Sequence, residues 1–439
     1  MIYVHVPFCR SFCTYCDFYS EVAGRCRSAE DVRKQEYMFG RFADALVMEI
    51  RLRADEITDD VNTLYIGGGT PSVLPLYVYE RILEELKSLG HGGPFEEFTV
   101  EVNPEDIVDK GPDYVEGLLK LGVNRISMGV QSFDDDILKF MNRRHSAQTA
   151  CRAYSILEDA GVDNISIDLI FGLPQLSDSV WERTLEKALS ISPSGRFPQH
   201  ISSYQLSVEP GSMLAEMVRL GRWSEASEDM CRRQYEQLCT TLARAGYHHY
   251  EISNFALPGY EAKHNSAYWK HVPYVGFGPG AHSFITPQPV LPTAPEGAYG
   301  LRSASTGDLF AFPYSASQNT RPGRASDEAG LITPQPVLPT APKGYRRQWN
   351  EADLKKYLED PTGHQVREDL TQEQIVLERI MLALRTSEGL SESYLREYGD
   401  VHGLDRAFAV GNIVRTGDGR VRIPEGRFFV SDSIIADLV

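Results

Sequence analysis

The sequence lacks several features, and each absence excludes a class of protein. No apolar run approaches the about 18 residues that a membrane-spanning helix requires. No basic segment followed by a long apolar one opens the chain, so we expect no secretory signal peptide. Basic residues are in deficit, because 44 Lys and Arg stand against 61 Asp and Glu, a net charge of −17. This balance disfavours partners that need a basic surface, namely nucleic acid and anionic membranes.

Cysteine is also scarce. The 439 residues include seven cysteines without a regular pairing pattern, which indicates a reducing compartment and predicts a cytoplasmic protein. Hydrophobic residues make up 42% and charged residues 24%, proportions typical of a globular protein with a large core. The length allows two or three domains.

Short β-branched or apolar runs alternate with helical patterns through the first half of the chain. The predicted strands are Ile2–Val6, Thr63–Ile66, Phe98–Val102, Arg125–Val130, Ile165–Phe171 and Ile201–Leu206. The predicted helices are Tyr37–Arg53, Leu76–Leu89, Tyr114–Leu121, Ala147–Ala160, Val180–Ile191 and Glu225–Ala245. Alternating strands and helices predict an α/β fold with a parallel sheet. Six units are too few for an eight-stranded barrel, so residues 1–246 are predicted to form a partial (β/α)6 TIM-like barrel.

Three further regions follow the barrel. Residues 247–284 are rich in glycine, histidine and aromatic residues. Residues 285–344 contain ITPQPVLPTAP twice, at Ile285–Pro295 and Ile332–Pro342, and are predicted to be an unstructured Pro-rich insertion. Residues 345–439 are predicted to form a small α+β winged-helix-like domain.

The predicted C-terminal domain contains two helices and a hairpin. One helix spans Leu370–Arg385, where Thr371 and Gln374 fit a capping box, and the other spans Glu392–Tyr398. Alternation over Ile413–Val430, with a turn at Asp418-Gly419, predicts the hairpin.

Three cysteines follow the first predicted strand in the spacing C-x3-C-x2-C. Cys9, Cys13 and Cys16 can hold three corners of a 4Fe–4S cluster and leave the fourth iron open. The alternative is a structural zinc ion, which needs four ligands, with His5 or Cys26 as the fourth. The other cysteines, Cys151, Cys231 and Cys239, fall in helical patterns and are predicted to pack in the core.

Polar residues mark the ends of the other predicted strands. Three glycines follow the second strand in YIGGGTP, and ligands in parallel βα folds bind at the carboxyl ends of strands. Glu101, Gln131 and Asp168 lie at or near the ends of the next three strands, and Arg143 follows closely. Each alone is compatible with a structural role. Together with the cysteine loop, they predict a ligand site at the carboxyl ends of the strands, which we call the mouth of the barrel.

As a set, these motifs resemble the radical S-adenosylmethionine (SAM) superfamily. The cysteine loop, with Tyr15 before its last cysteine, carries the superfamily resemblance. GGGTP, EVNPE, ISMGVQSF and IDLIFGLP more narrowly resemble the oxygen-independent coproporphyrinogen III oxidase-like group. The resemblance covers residues 1–284 and resumes at about residue 345.

The resemblance implies a cofactor arrangement. In this superfamily the open iron binds the amino and carboxylate groups of SAM, and an electron from the cluster cleaves it to a 5′-deoxyadenosyl radical. Carried over by motif, the cluster ligands are Cys9, Cys13 and Cys16. The SAM-binding residues implied are Tyr3 and Tyr15 beside the cofactor, Gly68, Gly69 and Thr70 at its methionyl end, Glu101 and Asp168 at its ribose or ammonium group, Arg143 at its carboxylate, and Gln131.

Two features distinguish subgroups. The oxidase carries a further cysteine two residues after the third one, where this chain has Phe18. The pattern HNxxYW resembles the heme-binding motif of the HemW group of heme chaperones, and its members are His264, Asn265, Tyr268 and Trp269. An imidazole can ligate heme iron, and the aromatic rings offer flat apolar faces. The alternatives are a structural histidine and the rival ligands His248, His249, His271 and His282.

The resemblance therefore predicts a heme chaperone. It would bind a 4Fe–4S cluster, SAM and one heme, receive electrons from a donor, and deliver heme to an acceptor protein such as a respiratory cytochrome. The alternatives are oxidative decarboxylation of coproporphyrinogen III and radical chemistry on another substrate, as in a methyltransferase. No residue is assigned a catalytic role.

Overall fold

The computed structural model describes residues 1–23, 28–286 and 344–439. Cys26 and nearly all of the predicted Pro-rich insertion lie outside the described residues. The strands are β1 (Ile2–Val6), β2 (Phe8–Cys9), β3 (Glu21–Val22), β4 (Thr63–Gly68), β5 (Glu97–Val102), β6 (Arg125–Gln131), β7 (Ile165–Phe171), β8 (His200–Gln205), β9 (His248–Glu251), β10 (Asn254–Ala256), β11 (Val275–Phe277), β12 (His282–Ile285), β13 (Arg346–Asn350), β14 (Gln365–Asp369), β15 (Leu390–Ser391), β16 (Val414–Arg415) and β17 (Arg420–Arg422).

The helices surround these strands. They are α1 (Ala29–Leu52), α2 (Leu76–Ser88), α3 (Pro104–Lys120), α4 (Asp135–Phe140), α5 (Ala147–Asp159), α6 (Asp178–Leu189), α7 (Met213–Arg219), α8 (Glu228–Arg244), α9 (Lys263–Trp269), α10 (Leu354–Glu359), α11 (Gln372–Leu384), α12 (Glu392–Tyr398), α13 (Val401–Ala409) and α14 (Ser431–Ala436). None of the helices in the described ranges is both long and apolar enough to cross a membrane.

One nine-stranded sheet forms the framework, in the order β11-β1-β4-β5-β6-β7-β8-β10-β9. The strands from β11 to β8 are parallel, whereas β10 and β9 are antiparallel additions at the far edge. The six predicted strands are the consecutive run from β1 to β8 in this sheet, which confirms the α/β partial barrel. The three additional strands are only three or four residues long, too short for a periodic signal.

The two faces of the sheet differ in polarity. Leu64, Ile66, Phe98 and Val100 alternate with polar residues along β4 and β5 and belong to the hydrophobic core formed with the helices. The intervening polar side chains bond one another across the opposite face, as Tyr65 does with Glu101. The inner face of the barrel is therefore polar and suited to a polar ligand.

Helix α3 differs from its prediction. The pattern predicted Tyr114–Leu121, but the helix begins at Pro104, because proline is favoured in the first helical turn. Gly111, at φ +70°, and Pro112 break the backbone within it, which hid the first part from a periodicity argument. Gly161 and Gly246 have φ values of +90° and +88° just after their helices, as expected of C-terminal glycines.

The C-terminal region forms two small sheets. Strands β12, β13 and β14 are antiparallel, and Ile285 of β12 pairs with Arg346 of β13. The second sheet, β15-β17-β16, packs with α11 to α14 in a winged-helix-like domain, and the capping box of Thr371 and Gln374 is present.

The predicted hairpin is only partly right. Strands β16 and β17 flank the turn at Asp418-Gly419, but Glu425–Val430 is a 3-10 helix rather than strand. Pro424 precedes it and cannot donate to a ladder. Cys231 lies in the core, and Cys151 and Cys239 pack against it, as predicted.

Candidate functional site

The three cysteines lie on the loop that follows β1, at the carboxyl ends of the parallel strands. The backbone of Thr14 anchors this loop on two sides, since its N–H donates to Met141 O at 3.2 Å and its carbonyl accepts from Leu214 at 2.8 Å. Cys9 Sγ lies 3.3 Å from Thr70 Oγ1, and Cys13 Sγ lies 3.5 Å from Arg143 Nη1. The loop is therefore connected to the turn after β4, to the turn before α5 and to α7.

Burial disfavours the free thiolate form of two of the three cysteines. Burial raises the pKa of Cys9, and burial followed by the nearby Cys13 raises the pKa of Cys16 to about 12. A metal binds the thiolate form, so a bound iron would displace the protons of these thiols.

The arrangement also bears on the kind of metal. Within the described residues, no group of three or more His, Cys, Asp or Glu side chains converges on a point where one ion could sit. A cluster does not need such convergence, because each thiolate binds a different iron. Three thiolates match a 4Fe–4S cluster with one open iron, whereas a structural zinc ion takes four ligands.

The glycine turn after β4 is required by close packing against the cysteine loop. A Cβ at Gly69 would lie 2.8 Å from Phe8 O and 2.9 Å from Val6 O. Gly68 has φ +106°, and a Cβ there would lie 2.5 Å from the His5 ring. No larger residue fits at either position, so this turn brings its backbone to the mouth.

Glu101 and Asp168 are carboxyl groups whose pKa values lie close to neutral pH. Glu101 accepts from Tyr65 Oη at 2.6 Å and from Gly68 N at 3.0 Å, and burial raises its pKa to about 7. Asp168 accepts from Ser127 Oγ at 3.2 Å, and burial raises its pKa to about 6. Both carboxyl groups can exchange hydrogen bonds with hydroxyl or ammonium groups of a ligand.

Arg143 is fixed at the mouth by two strong contacts. Its Nη2 donates to Asn103 Oδ1 and to Gly129 O, both at 2.6 Å, while its buried Nε has no hydrogen-bond partner among the residues that the structure describes. The neighbouring Gln131 has φ +66° where β6 shifts register against β7. Backbone strain of this kind clusters at ligand sites.

Asn103 completes a set of polar contacts that sequence reasoning did not single out. Its Nδ2 donates to Thr70 Oγ1 at 3.2 Å, while its Oδ1 accepts from Arg143. Polar contacts therefore run from Cys9 through Thr70, Asn103 and Arg143 to Cys13. The signal was present in EVNPE, where an asparagine at a strand end precedes a proline.

The two tyrosines expected beside SAM also lie here. Tyr3 Oη lies 3.1 Å from His5 Nδ1, and its ring is 6.1 Å from that of Tyr65. Tyr15 is close to Cys13 and Cys16, and burial raises its pKa well above the usual value. The structure thus gathers the residues expected to bind the cluster and SAM around one mouth.

The HNxxYW motif lies elsewhere. His264 Nδ1 is 2.8 Å from Thr63 Oγ1, and the backbone N–H of His264 donates to Glu97 at 3.0 Å. Thr63 and Glu97 are the first residues of β4 and β5, so the motif lies at the end of the strands opposite the mouth.

The motif histidine is enclosed. His264 is 1% exposed, its Nε2 lies 2.9 Å from Tyr268 Oη, and burial lowers its pKa to about 3. Trp269 is buried as well. Both ring nitrogens of His264 are engaged within the protein, so heme contact by His264, Asn265, Tyr268 and Trp269 stays a prediction.

Comparison with known proteins identifies the family of the chain. Residues 3–188 match the model of the radical SAM superfamily. The chain is 36% identical over 285 residues to the heme chaperone HemW of Lactococcus lactis, covering 64% of this chain and 69% of the relative. It is 34% identical to HemW of Bacillus subtilis, covering 64% and 70% of the two chains.

A solved structure supports the fold. The coproporphyrinogen III oxidase HemN of Escherichia coli, a radical SAM enzyme, superposes with a TM-score of 0.69 over 99% of this chain and 89% of the oxidase. Its sequence identity is 19%, so this likeness concerns the fold alone. The family model, the relatives and the fold agree, and the chain belongs to the HemW family within the radical SAM superfamily.

Proposed function

We propose that this chain is a heme chaperone that carries a 4Fe–4S cluster and SAM at the mouth of its barrel and delivers heme to an acceptor protein. The observation that carries the proposal is the match, at 34–36% identity over 69–70% of their length, to relatives named heme chaperones. We also propose that an electron donor serves the cluster and that a heme protein, such as a respiratory cytochrome, is the acceptor.

The residues at the mouth have defined roles in this proposal. Cys9, Cys13 and Cys16 hold the cluster, which when bound can supply one electron to SAM. Arg143, which is already positioned by Asn103, pairs with a carboxylate through its fork. Glu101 and Asp168 accept from hydroxyl or ammonium groups. The remaining SAM contacts proposed are Tyr3, Tyr15, Gly68, Gly69, Thr70 and Gln131.

Phe18 favours the chaperone over the oxidase. Its phenyl group is 40% exposed on the cysteine loop, at the position where the oxidase has a cysteine. A phenyl group supplies no thiol to redox or ligand chemistry. The loop therefore retains its three cluster ligands without the additional cysteine.

The test is an anaerobic titration of the reconstituted full-length protein with heme, followed by the Soret band. We expect saturable binding of one heme per chain and its transfer to an apocytochrome. The same sample, incubated with SAM, a reductant and coproporphyrinogen III, should release no carbon dioxide. Absence of heme binding, or turnover of coproporphyrinogen, would contradict the proposal.

A further inference from the structure

The interior of the barrel, which we call the lumen, contains a buried arginine below the mouth. Arg125 is the first residue of β6 and pairs in register with Thr99 of β5. Side chains alternate along a strand, and Ser127, two residues further on, donates to Asp168 of β7 across the lumen face. Arg125 therefore faces the lumen as well, at the end of β6 opposite the mouth, and it is 3% exposed.

The guanidinium group of Arg125 has no contact partner. It makes no hydrogen bond or ion pair with any residue that the structure describes, and its Nε is enclosed by protein. Arg53 is buried to a similar degree, at 4%, but contacts Glu49 and Glu56 at 2.6 Å each. Buried charges in proteins are as a rule paired. The guanidinium group of Arg125 is therefore free to bind an anionic ligand.

The acidic group that acts most strongly on Arg125 is engaged by other donors. Glu97 precedes Thr99 by two residues on the same face of β5, and it accepts from the backbone N–H groups of Lys263 at 2.7 Å and His264 at 3.0 Å. Burial tends to lower the pKa of Arg125, but the surrounding groups, Glu97 first among them, outweigh it and raise the pKa. Arg125 therefore keeps its charge while Glu97 is bonded to the start of α9.

Space for a ligand remains between the side chains that line the lumen. Tyr3, Tyr65 and Asp168 face the lumen, and all three are only partly buried. The ring of Tyr65 lies 5.2 Å from that of His264, while its Oη donates to Glu101 at 2.6 Å. The lumen therefore extends from the carboxyl groups at the mouth to α9, which carries the HNxxYW motif.

The chemistry of Arg125 favours a carboxylate. A guanidinium group binds a carboxylate through two parallel N–H···O bonds, which are stronger in an enclosed site than in water. Two ligands of the proposed function carry carboxylates, namely SAM and heme. Arg143 lies at the mouth, where the carboxylate of SAM is expected, whereas Arg125 lies at the end of the strands next to α9. A propionate of heme is therefore the carboxylate that suits its position.

We propose that Arg125 binds a propionate carboxylate of the heme from within the lumen. This inference rests on the proposed function and on heme contact by the HNxxYW motif of α9, and it adds a binding residue that the motif does not include. An iron porphyrin without free carboxylates would lose this contact.

The test compares heme with its dimethyl ester, in which both propionates are neutral, in anaerobic titrations of the full-length, cluster-loaded protein. The wild type is expected to bind heme at least about tenfold more tightly than the ester, which corresponds to about 1.4 kcal/mol. Arg125→Gln should lose this preference, and Arg125→Lys should retain part of it, because lysine keeps the charge but not the planar fork. Arg152→Gln, at an exposed position of α5, is the control and should behave as the wild type does.

The outcomes separate this inference from the proposed function. Absence of heme binding by the wild type overturns both. Equal affinity of the wild type for heme and its ester, or an undiminished preference in Arg125→Gln, overturns only the assignment of Arg125. Titration of the same variants with SAM covers the other source, because a loss of affinity confined to SAM would overturn the assignment to heme. If Arg125→Gln loses its cluster absorbance, Arg125→Lys decides: a reduced preference for heme supports the assignment, and an unchanged one overturns it.

Discussion

At the scale of single residues, Asn103 shows how one amide can organise a charged site. It is the only described residue that bonds both Thr70 and Arg143, and these in turn contact Cys9 and Cys13. Asn103 is the residue before α3, and its side chain makes no capping hydrogen bond to that helix. An uncharged side chain that both accepts and donates hydrogen bonds is needed here, because its oxygen faces a cation and its NH2 group faces a hydroxyl.

Replacing Asn103 should therefore weaken SAM binding through Arg143. We expect Asn103→Ala to raise the Kd for SAM about tenfold, since a hydrogen bond to a charged group contributes about 1.5–3 kcal/mol. Asn103→Asp keeps an acceptor for Arg143 and should have a smaller effect. Anaerobic calorimetric titration measures both, and equal affinities in the wild type and Asn103→Ala would refute the role.

The raised pKa of Glu101 predicts a pH dependence of SAM binding. Its folded-state pKa is about 7, so the carboxylate that accepts from the ligand is lost as the pH falls through 7. Affinity should therefore decline between pH 8 and pH 6. In Glu101→Gln the decline should move to about pH 6, where Asp168 titrates. An identical profile in the variant and the wild type would contradict this assignment.

At the scale of elements, the bounds of a strand or helix were predictable where a local sequence pattern determines them. The barrel strands β1 and β7 have their predicted bounds, and α12 does as well, because each has a continuous pattern between turn residues. Strands β10 and β11 join the sheet by pairing with β8 and β1, and β9 joins it only through β10, so no local pattern reveals them.

The residues of the candidate site also divide into those whose location the sequence predicts and those whose location it does not. The mouth residues were predictable, because the ends of parallel strands meet by topology. The location of His264 was not, since it depends on contacts with Thr63 and Glu97, more than 160 residues away in sequence.

The pairing of β12 with β13 predicts that residues 287–343 are dispensable for folding. Ile285 pairs with Arg346, so removal of 287–343 leaves a three-residue connection, Thr286, Gly344 and Tyr345. Gly344 already has φ +103°, which suits a short hairpin loop. We expect the deletion variant to keep its cluster absorbance, its heme affinity and its melting temperature within a few degrees. Unfolding of the variant, or loss of either ligand, would show that the segment stabilises the native structure.

At the scale of the whole molecule, a buried polar network joins the barrel to the C-terminal region. Glu49 of α1 is fully buried and accepts from Arg53 at 2.6 Å, from Tyr357 Oη at 2.7 Å and from Gly278 N at 2.8 Å. Asn350 of β13 donates to the same carboxylate. Residues distant in sequence thus share one acceptor, which fixes the position of the sheet β12-β13-β14.

Removing this acceptor should destabilise the whole protein. Glu49→Ala removes the buried acceptor of Arg53, Tyr357 and Asn350 and leaves Arg53 with Glu56 as its ion-pair partner, and the loss of a buried partner of this kind costs about 3–5 kcal/mol. Chemical denaturation followed by circular dichroism measures the change. Glu85→Ala is the matched control, because Glu85 accepts from the exposed Arg51 and its loss should cost about 1 kcal/mol or less. Similar effects of the two variants would refute the importance of the network.

The adjacent ends of β12 and β13 also provide a position at which another domain can be inserted. A folded domain whose own termini are close together can be inserted between Thr286 and Gly344 without altering the register of either strand. A reporter domain placed there would be attached at both ends to paired strands.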